Sequence, residues 1–281
     1  MSKIKQIFLE KPLIGAIFVA ILFNVFLFLA LITLSLIYIF MGEMTFYTII
    51  WLQFCLTFGF LTLLLMVIIP YGLDLPNEVY SLSEFFEAIQ LKTESSVKHN
   101  IILGLIVAAV FIMFEIIAGL ILIEITFDLT NLFTVPQPNN LGIFLWIYNL
   151  RPGILEEVAF RGIILTVLLK KYSKRTAILI DGIIFGLVHF MNFLLGADLL
   201  ATLIQIIYAT ILGFLLAFMY IKTKSIISCI LTHYFIDVFG QVFIISSINL
   251  LTYLIVIVGF AICIPVLINS YIIKLYTQKF F

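Results

Sequence analysis

The chain has 281 residues, of which 64% are apolar and only 11% are charged, whereas soluble domains average about 25% charged residues. This composition excludes a water-soluble globule, a disordered chain, a disulfide scaffold and a coiled coil, and it indicates a protein of the lipid bilayer. The net charge is zero, so no bulk electrostatic attraction draws the chain to nucleic acid, and we expect no nucleic-acid partner.

Apolar runs long enough to cross a bilayer recur along the chain, since a spanning helix needs about 20 apolar residues. The first run is longer than the apolar part of a signal peptide, which has about 7–15 residues, so we interpret it as a permanent span. The sequence predicts an all-α polytopic membrane protein, organised as a single integral membrane domain over residues 1–281. Its eight transmembrane helices are expected near Leu13–Met41, Phe46–Tyr71, Ile101–Ile123, Leu141–Leu169, Thr176–Leu195, Leu199–Ile221, Ile226–Ile245 and Leu250–Ile273.

The loop of residues 72–100 is the only long connection between predicted spans. Ser83 has the side chain of a helix N-cap, and Phe85, Phe86 and Ile89 fall on one face of the helix that would follow. We therefore expect a short interfacial helix that connects the second and third spans.

Basic residues collect on the cytoplasmic side of membrane proteins, which makes the span count testable. Eight spans with the N-terminus inside place 13 of the 15 basic residues in cytoplasmic segments and none in the outer loops. The two others, Arg151 and Arg161, lie in or beside the fourth span. The sequence thus predicts a multi-pass protein of the cell membrane with both termini in the cytoplasm.

Ionisable residues inside the predicted spans need a partner, because a charge at the bilayer centre costs about 2.5–3.5 kcal/mol on insertion scales. Four such charges facing lipid would cost on the order of 10–14 kcal/mol, more than a marginally stable fold can spare. We expect these side chains to face the interior of the helix bundle. The group comprises Glu156, Glu157, Arg161 and Asp237, and the imidazoles His189 and His233 accompany it.

The spacing of these residues predicts how they meet. Glu157 and Arg161 are four residues apart, so they share a helix face and can form an ion pair, and His233 and Asp237 are spaced in the same way. Glu156 is rotated by about 100° from its neighbour and can point elsewhere. At about 1.5 Å per residue, the carboxylates and imidazoles of three helices fall about 14–21 Å from the inner helix ends. Such a layer suits hydrolysis, in which one group deprotonates a water and another stabilises the oxyanion.

At these residues the sequence resembles the CAAX-protease and bacteriocin-processing family of intramembrane proteases (CPBP, or Abi), which includes the type II CAAX prenyl endopeptidases. The resemblance covers about residues 141–240, in the predicted helices four to seven. It is carried by EExxxR at Glu156, Glu157 and Arg161, FxxxH at Phe185 and His189, and HxxxN or HxxxD at His233 and Asp237.

The resemblance implies an eight-helix membrane endopeptidase that cleaves near the C-terminus of a lipidated or other membrane-associated peptide, with membrane lipids around it. It implies that Glu156 and His189 bind and activate the water and that His233 and residue 237 stabilise the oxyanion. Glu157 and Arg161 would brace the site or touch the substrate. An ionised Asp237 would repel an oxyanion, so this residue must either be protonated or hold the tautomer of His233 from behind.

Two alternatives remain open from the sequence. In a zinc-dependent metalloprotease, His189, His233 and Glu156 would bind the metal and Glu157 would act as the base. The preferred interpretation requires no cofactor. In the other alternative, the chain is a non-catalytic bacteriocin-immunity, scaffold or transport protein. Transporters often contain inverted repeats, however, and no internal repeat is visible here.

Two further acidic residues lie in the predicted spans. Asp181 lies two turns before His189 on the same helix face, and we expect it to meet cytosolic water or a nearby lysine. Glu115 is the single ionisable residue of the first three spans, and we expect it to be a helix–helix hydrogen-bond partner.

Overall fold

The computed structural model describes residues 7–8, 10–77, 80–92, 95–121, 125–137, 141–245 and 253–281. Helices dominate this part of the chain, which confirms an all-α polytopic membrane protein. Lys3, Lys5 and residues 246–249, between the predicted seventh and eighth spans, lie outside the described residues. The helices in chain order are α1 (Pro12–Met41), α2 (Phe46–Gly72), α3 (Leu82–Ala88), α4 (Val97–Ile121), α5 (145–169), α6 (Lys174–Leu194), α7 (Leu199–Thr223), α8 (Ile227–Gly240) and α9 (253–280).

Six helices of the described chain are long and apolar enough to cross a membrane, namely α1, α2, α4, α6, α7 and the part of α9 over Val258–Phe280. The two other predicted spans have a different form. The fourth is α5, a succession of short helical segments, and the seventh is α8, an apolar helix of 14 residues. Both irregular helices carry residues of the motifs.

Helix α5 changes its winding where the EExxxR motif lies. It is α-helical over Leu145–Tyr148, π-helical over Pro152–Glu156 and Val158–Leu165, and α-helical again over Thr166–Leu169. Pro152 has no amide hydrogen to donate to the preceding turn, so the regular ladder is already interrupted there. π-helical turns inside α-helices are rare and are frequent at functional sites.

The connecting helix α3 differs from its prediction in two ways. Its N-cap is Ser81, whose hydroxyl accepts a hydrogen bond from the Glu84 amide, and not Ser83. Phe85 and Ile89 are fully buried, and Ile89 lies so close to Gly162 of α5 that a Cβ there would be 2.9 Å from it. The helix therefore packs on the protein core, a contact that the sequence analysis did not predict.

A short antiparallel strand pair, which the sequence analysis did not predict, joins the ends of two spans. β1 (Ile125–Phe127) pairs with β2 (Phe243–Ile245), with Ile125 opposite Ile245. The prediction that the seventh helix continues to Ile245 was therefore wrong at its end. Helix α8 stops at Gly240, and the chain turns before the strand.

Small residues allow the helices around the motifs to approach closely. Gly182 and Gly186 of α6 face α7, where a side chain on Gly213 would come within 2.9 Å of the Gly182 Cα atom. In the same way, a Cβ on Gly104 of α4 would lie 2.8 Å from the carbonyl oxygen of Ser228 in α8. Glycines at such contacts are a common means of packing membrane helices tightly.

Candidate active site

The Glu157 carboxylate is the centre of a buried network of charges. Its Oε1 atom accepts hydrogen bonds from Arg161 Nη1 at 2.9 Å and from His233 Nδ1 at 2.8 Å. All three residues are almost completely buried, Glu157 and Arg161 at 0% exposure and His233 at 4%. The ion pair that the spacing of Glu157 and Arg161 predicts is present, and it also fixes the imidazole of another helix.

Arg161 has all of its donor groups directed at protein atoms of three helices. In addition to its bond to Glu157, Nη2 donates to the Gly213 carbonyl oxygen at 3.2 Å, and Nε lies 3.6 Å from Asp181 Oδ2. The guanidinium lies over the ring of Phe185, 4.4 Å from its centre. Arg161 therefore joins helices α5, α6 and α7.

Asp181 corrects an expectation, because it contacts neither cytosolic water nor a lysine. The residue is completely buried and lies against Arg161. Neither of its carboxylate oxygens accepts a hydrogen bond from any described residue, so its burial depends on the charge of Arg161. The sequence does show that Asp181 shares a helix face with Phe185 and His189, which indicates that it faces the bundle. It does not show that the helix opposite is α5, which carries Arg161.

The other face of His233 is directed toward two partly exposed carboxylates. Its Nε2 atom lies 3.4 Å from Asp237 Oδ2 and 4.0 Å from Glu156 Oε2. The side chains of Glu156 and Asp237 are 20% and 28% exposed. Glu157 bonds the Nδ1 atom of His233. Asp237 therefore lies on the opposite side of the ring, near Nε2.

His189 lies immediately after the regular part of α6, which ends at Val188. Its Nδ1 atom hydrogen-bonds the Phe185 carbonyl oxygen at 2.8 Å. Because a carbonyl only accepts, Nδ1 carries the proton, and in the neutral form of the ring the lone pair lies on Nε2. The Phe185 ring contacts both imidazoles edge-on, with centroids 5.3 Å from His189 and 5.7 Å from His233.

Glu115 of α4 is a further acidic group beside this cluster. Its Oε2 atom is buried and has no hydrogen-bond partner among the described residues. Asp237 of the neighbouring helix α8 is close enough for its charge to act on Glu115. The site therefore contains more carboxylates than the three motifs account for.

A metal ion at this site would have to be bound by the imidazoles and carboxylates described above. Within the described ranges, no three His, Cys, Asp or Glu side chains are grouped so that they could hold a metal ion. One nitrogen of each imidazole is already bonded, to Glu157 in His233 and to a backbone carbonyl in His189.

A family model described as type II CAAX prenyl endopeptidase Rce1-like matches residues 138–239. The matched segment runs through helices α5 to α8 and contains all three motifs. Over this segment the chain is similar to that family. No curated protein and no solved structure matches the chain. This similarity to the CAAX protease family supports peptidase activity in general and agrees with the multi-pass architecture described above.

Proposed function

We propose that this protein is an intramembrane endopeptidase that hydrolyses a peptide bond near the C-terminus of a lipidated, CAAX prenyl-type or other membrane-associated peptide. One observation carries the proposal. Glu156 is a partly exposed carboxylate beside His233 Nε2, whereas its neighbour Glu157 is buried and committed to Arg161 and His233. Two adjacent glutamates therefore have separate roles, one available to water and one structural.

In the proposed reaction, Glu156 acts as the general base and His189 holds the attacking water through its Nε2 lone pair. As the water oxygen bonds to the scissile carbonyl carbon, its proton passes to Glu156. Glu156 then gives this proton to the amide nitrogen, and the carbon–nitrogen bond breaks to give a carboxylic acid and an amine. The remaining proton of the acid passes to the amine, so the products leave as a carboxylate and an ammonium group. No metal takes part in these steps.

His233 is proposed to stabilise the oxyanion that forms on the carbonyl. Both of its ring nitrogens face carboxylate oxygens, an arrangement that suits a ring protonated at Nδ1 and Nε2. Glu157 holds Nδ1, and Nε2–H is then the donor that faces the partly exposed side of the site. Aimed donors of this kind lower the barrier because they need no reorganisation during the reaction.

The test is cleavage of a farnesylated CAAX reporter peptide by the purified protein, with and without a zinc chelator. We expect Glu156→Gln to lower kcat at least 100-fold, the usual contribution of a general base, and the chelator to have no effect. Glu43→Gln is the matched control, since Glu43 is an exposed glutamate far from the motifs.

Loss of activity with the chelator, restored by added zinc, would instead indicate the metalloprotease with the same residues as ligands. A folded wild-type protein that cleaves neither this reporter nor an unprenylated membrane peptide would refute the proposal. That result would leave a non-catalytic member of the family.

A further inference from the structure

The backbone of α6 is wound more tightly than an α-helix where it reaches His189. In an α-helix each amide donates to the carbonyl four residues back. The His189 amide instead donates to the Gly186 carbonyl, three residues back, at 3.1 Å. The Asn192 amide follows the same pattern, with a bond of 3.0 Å to the His189 carbonyl. A short stretch of such 3₁₀ winding within a helix often marks a functional position.

This tight turn determines which group the His189 ring can bond. Because the His189 amide reaches only three residues back, it leaves the Phe185 carbonyl, four residues back, to another donor. The ring of His189 itself takes that place, with Nδ1 at 2.8 Å from the carbonyl oxygen. The bond that one ring nitrogen makes sets the role of the other, so the lone pair of the neutral ring lies on Nε2. The winding of the backbone and the tautomer of the imidazole are therefore coupled.

Asn192, one turn beyond His189, is held by three hydrogen bonds. Its amide donates to the His189 carbonyl, and its own carbonyl accepts from the Ala197 amide at 2.9 Å. Its side-chain Nδ2 donates to Gln205 Oε1 of helix α7 at 2.8 Å. Of these three bonds, the one to Gln205 reaches another helix. Asparagine and glutamine often join membrane helices in this way.

Helix α7 offers a firm support for this bond, because it packs closely on α6 at the same level. A Cβ on Gly186 would lie only 2.7 Å from the Ile206 carbonyl oxygen, and Ile206 is the residue next to Gln205. The bond between Asn192 and Gln205 therefore fixes the tight turn relative to a helix that is already in contact with α6.

We propose that the hydrogen bond between Asn192 and Gln205 positions His189 for the reaction, by holding the turn that leaves the Phe185 carbonyl to the imidazole. Both are positioning residues, which act through His189 and belong to none of the three motifs. The inference rests on the proposed function and adds to it the contact that fixes the water-binding imidazole.

The first measurement is the tautomer of His189, which requires no substrate. The chain has three histidines, so ring nitrogen-15 labelling gives three imidazoles, and the signals missing from His189→Gln identify this one. We expect the neutral ring to carry its proton on Nδ1 in the wild type and to exchange between both tautomers in Asn192→Leu and Gln205→Leu. Asn24→Leu is the matched control, since Asn24 is a half-buried asparagine whose side chain bonds the Ala20 carbonyl of its own helix α1.

The second measurement is cleavage of the reporter peptide. We expect Asn192→Leu to lower kcat at least 10-fold with KM within about twofold of the wild type, because displacing a catalytic group by about 1 Å can cost about 100-fold in rate while ground-state binding is kept. Gln205→Leu should have the same effect, and the two together should be no worse than either alone. The exchange variant Asn192→Gln with Gln205→Asn keeps both amides and their combined length, so it should recover the tautomer and most of kcat.

A wild-type tautomer in Asn192→Leu overturns the assignment, whatever the activity of that variant. Additive losses in the double leucine variant also overturn it, as does a folded exchange variant that restores neither the tautomer nor kcat. A wild-type protein that cleaves no reporter refutes the proposed function instead, and the tautomer then still shows whether the bond between Asn192 and Gln205 holds the His189 ring.

Discussion

At the scale of single residues, the buried charges depend on Arg161. It neutralises Glu157 and Asp181, both of which are completely buried. Arg161→Met would leave Asp181 without a counter-charge and Glu157 with His233 as its remaining partner. We expect it to lower the free energy of unfolding by about 3–5 kcal/mol, as the loss of one partner of a buried ion pair usually does. The measurement is reversible unfolding in mixed detergent micelles.

Asp181→Asn provides the sharper test of this network. In the wild-type background we expect it to destabilise the protein, because it removes one partner of Arg161. In the Arg161→Met background we expect the same substitution to stabilise the protein, because it removes a buried charge that has lost its counter-charge. A double-mutant cycle measures this reversal of sign. Additive effects of the two substitutions would show that Asp181 and Arg161 are not energetically coupled.

Asp237 allows a separate test of the oxyanion side of the proposed mechanism. Its Oδ2 atom lies 3.4 Å from His233 Nε2, and an amide in its place could donate a hydrogen bond to the oxyanion. We expect Asp237→Asn to keep kcat within about threefold of the wild type and Asp237→Ala to lower it about 10-fold or more. Inactivity of the asparagine variant with normal folding would mean that the reaction needs the carboxylate.

The sequence predicted the contacts within one helix better than those between helices. The Glu157–Arg161 pair follows from a spacing of four residues, which holds on any helix face. The bond from His233 to Glu157 and the pairing of Asp181 with Arg161 depend on how α5, α6 and α8 pack against one another. No spacing within a single segment carries that information, which is why Asp181 was assigned to water.

At the scale of helices, the contact between α6 and α7 holds His189 in position. Gly186 lies three residues before His189, and a Cβ at Gly186 would collide with the Thr210 hydroxyl and the Ile206 carbonyl. Gly186→Ala must push α6 away from α7, so we expect a loss of about 1–3 kcal/mol in stability and a fall in kcat. Thermal unfolding and reporter cleavage measure the two effects.

Gly59→Ala is the matched control for this prediction. Gly59 lies in helix α2, and no atom lies within 4 Å of the position that its Cβ would occupy. The substitution should leave activity unchanged and stabilise the protein slightly, because alanine is the better helix former by up to about 1 kcal/mol. Equal effects of Gly59→Ala and Gly186→Ala would remove the argument that close helix contact matters at Gly186.

Some helices and strands of this protein could be predicted from the sequence, and others could not. Long apolar runs predict spans because only a helix satisfies its own backbone within lipid, and α1, α4 and α7 match their predictions closely. The π-helical turns of α5 and the pair of β1 with β2 depend instead on tertiary contacts. A hydropathy pattern does not report such contacts, so the ends of the predicted fourth and seventh spans were the least accurate.

At the scale of the whole molecule, the helix directions agree with the predicted topology. Helices α4 and α8 correspond to the predicted third and seventh spans, which must run in the same direction. Gly104 contacts Ser228 near the starts of both helices, and the charge of Asp237 acts on Glu115 nearer their ends. Helices α6 and α7 run in opposite directions, because Gly182 meets Gly213 while Gly186 meets Thr210. Successive spans of a polytopic protein cross the membrane in opposite directions. The parallel pair α4 and α8 and the antiparallel pair α6 and α7 both agree with this.

Which side of the membrane each end faces is a prediction that follows from the basic residues, which collect in the cytoplasm. We expect Ser173→Cys, beside Lys174 and Arg175, to face the cytoplasm and Ala197→Cys to face the outside. Both positions are exposed. In a background where the three native cysteines are replaced by alanine, a membrane-impermeant maleimide added to intact cells should label only the second variant. Both should react after permeabilisation. The reverse pattern would invert the protein in the membrane and, with it, the side from which a substrate reaches Glu156.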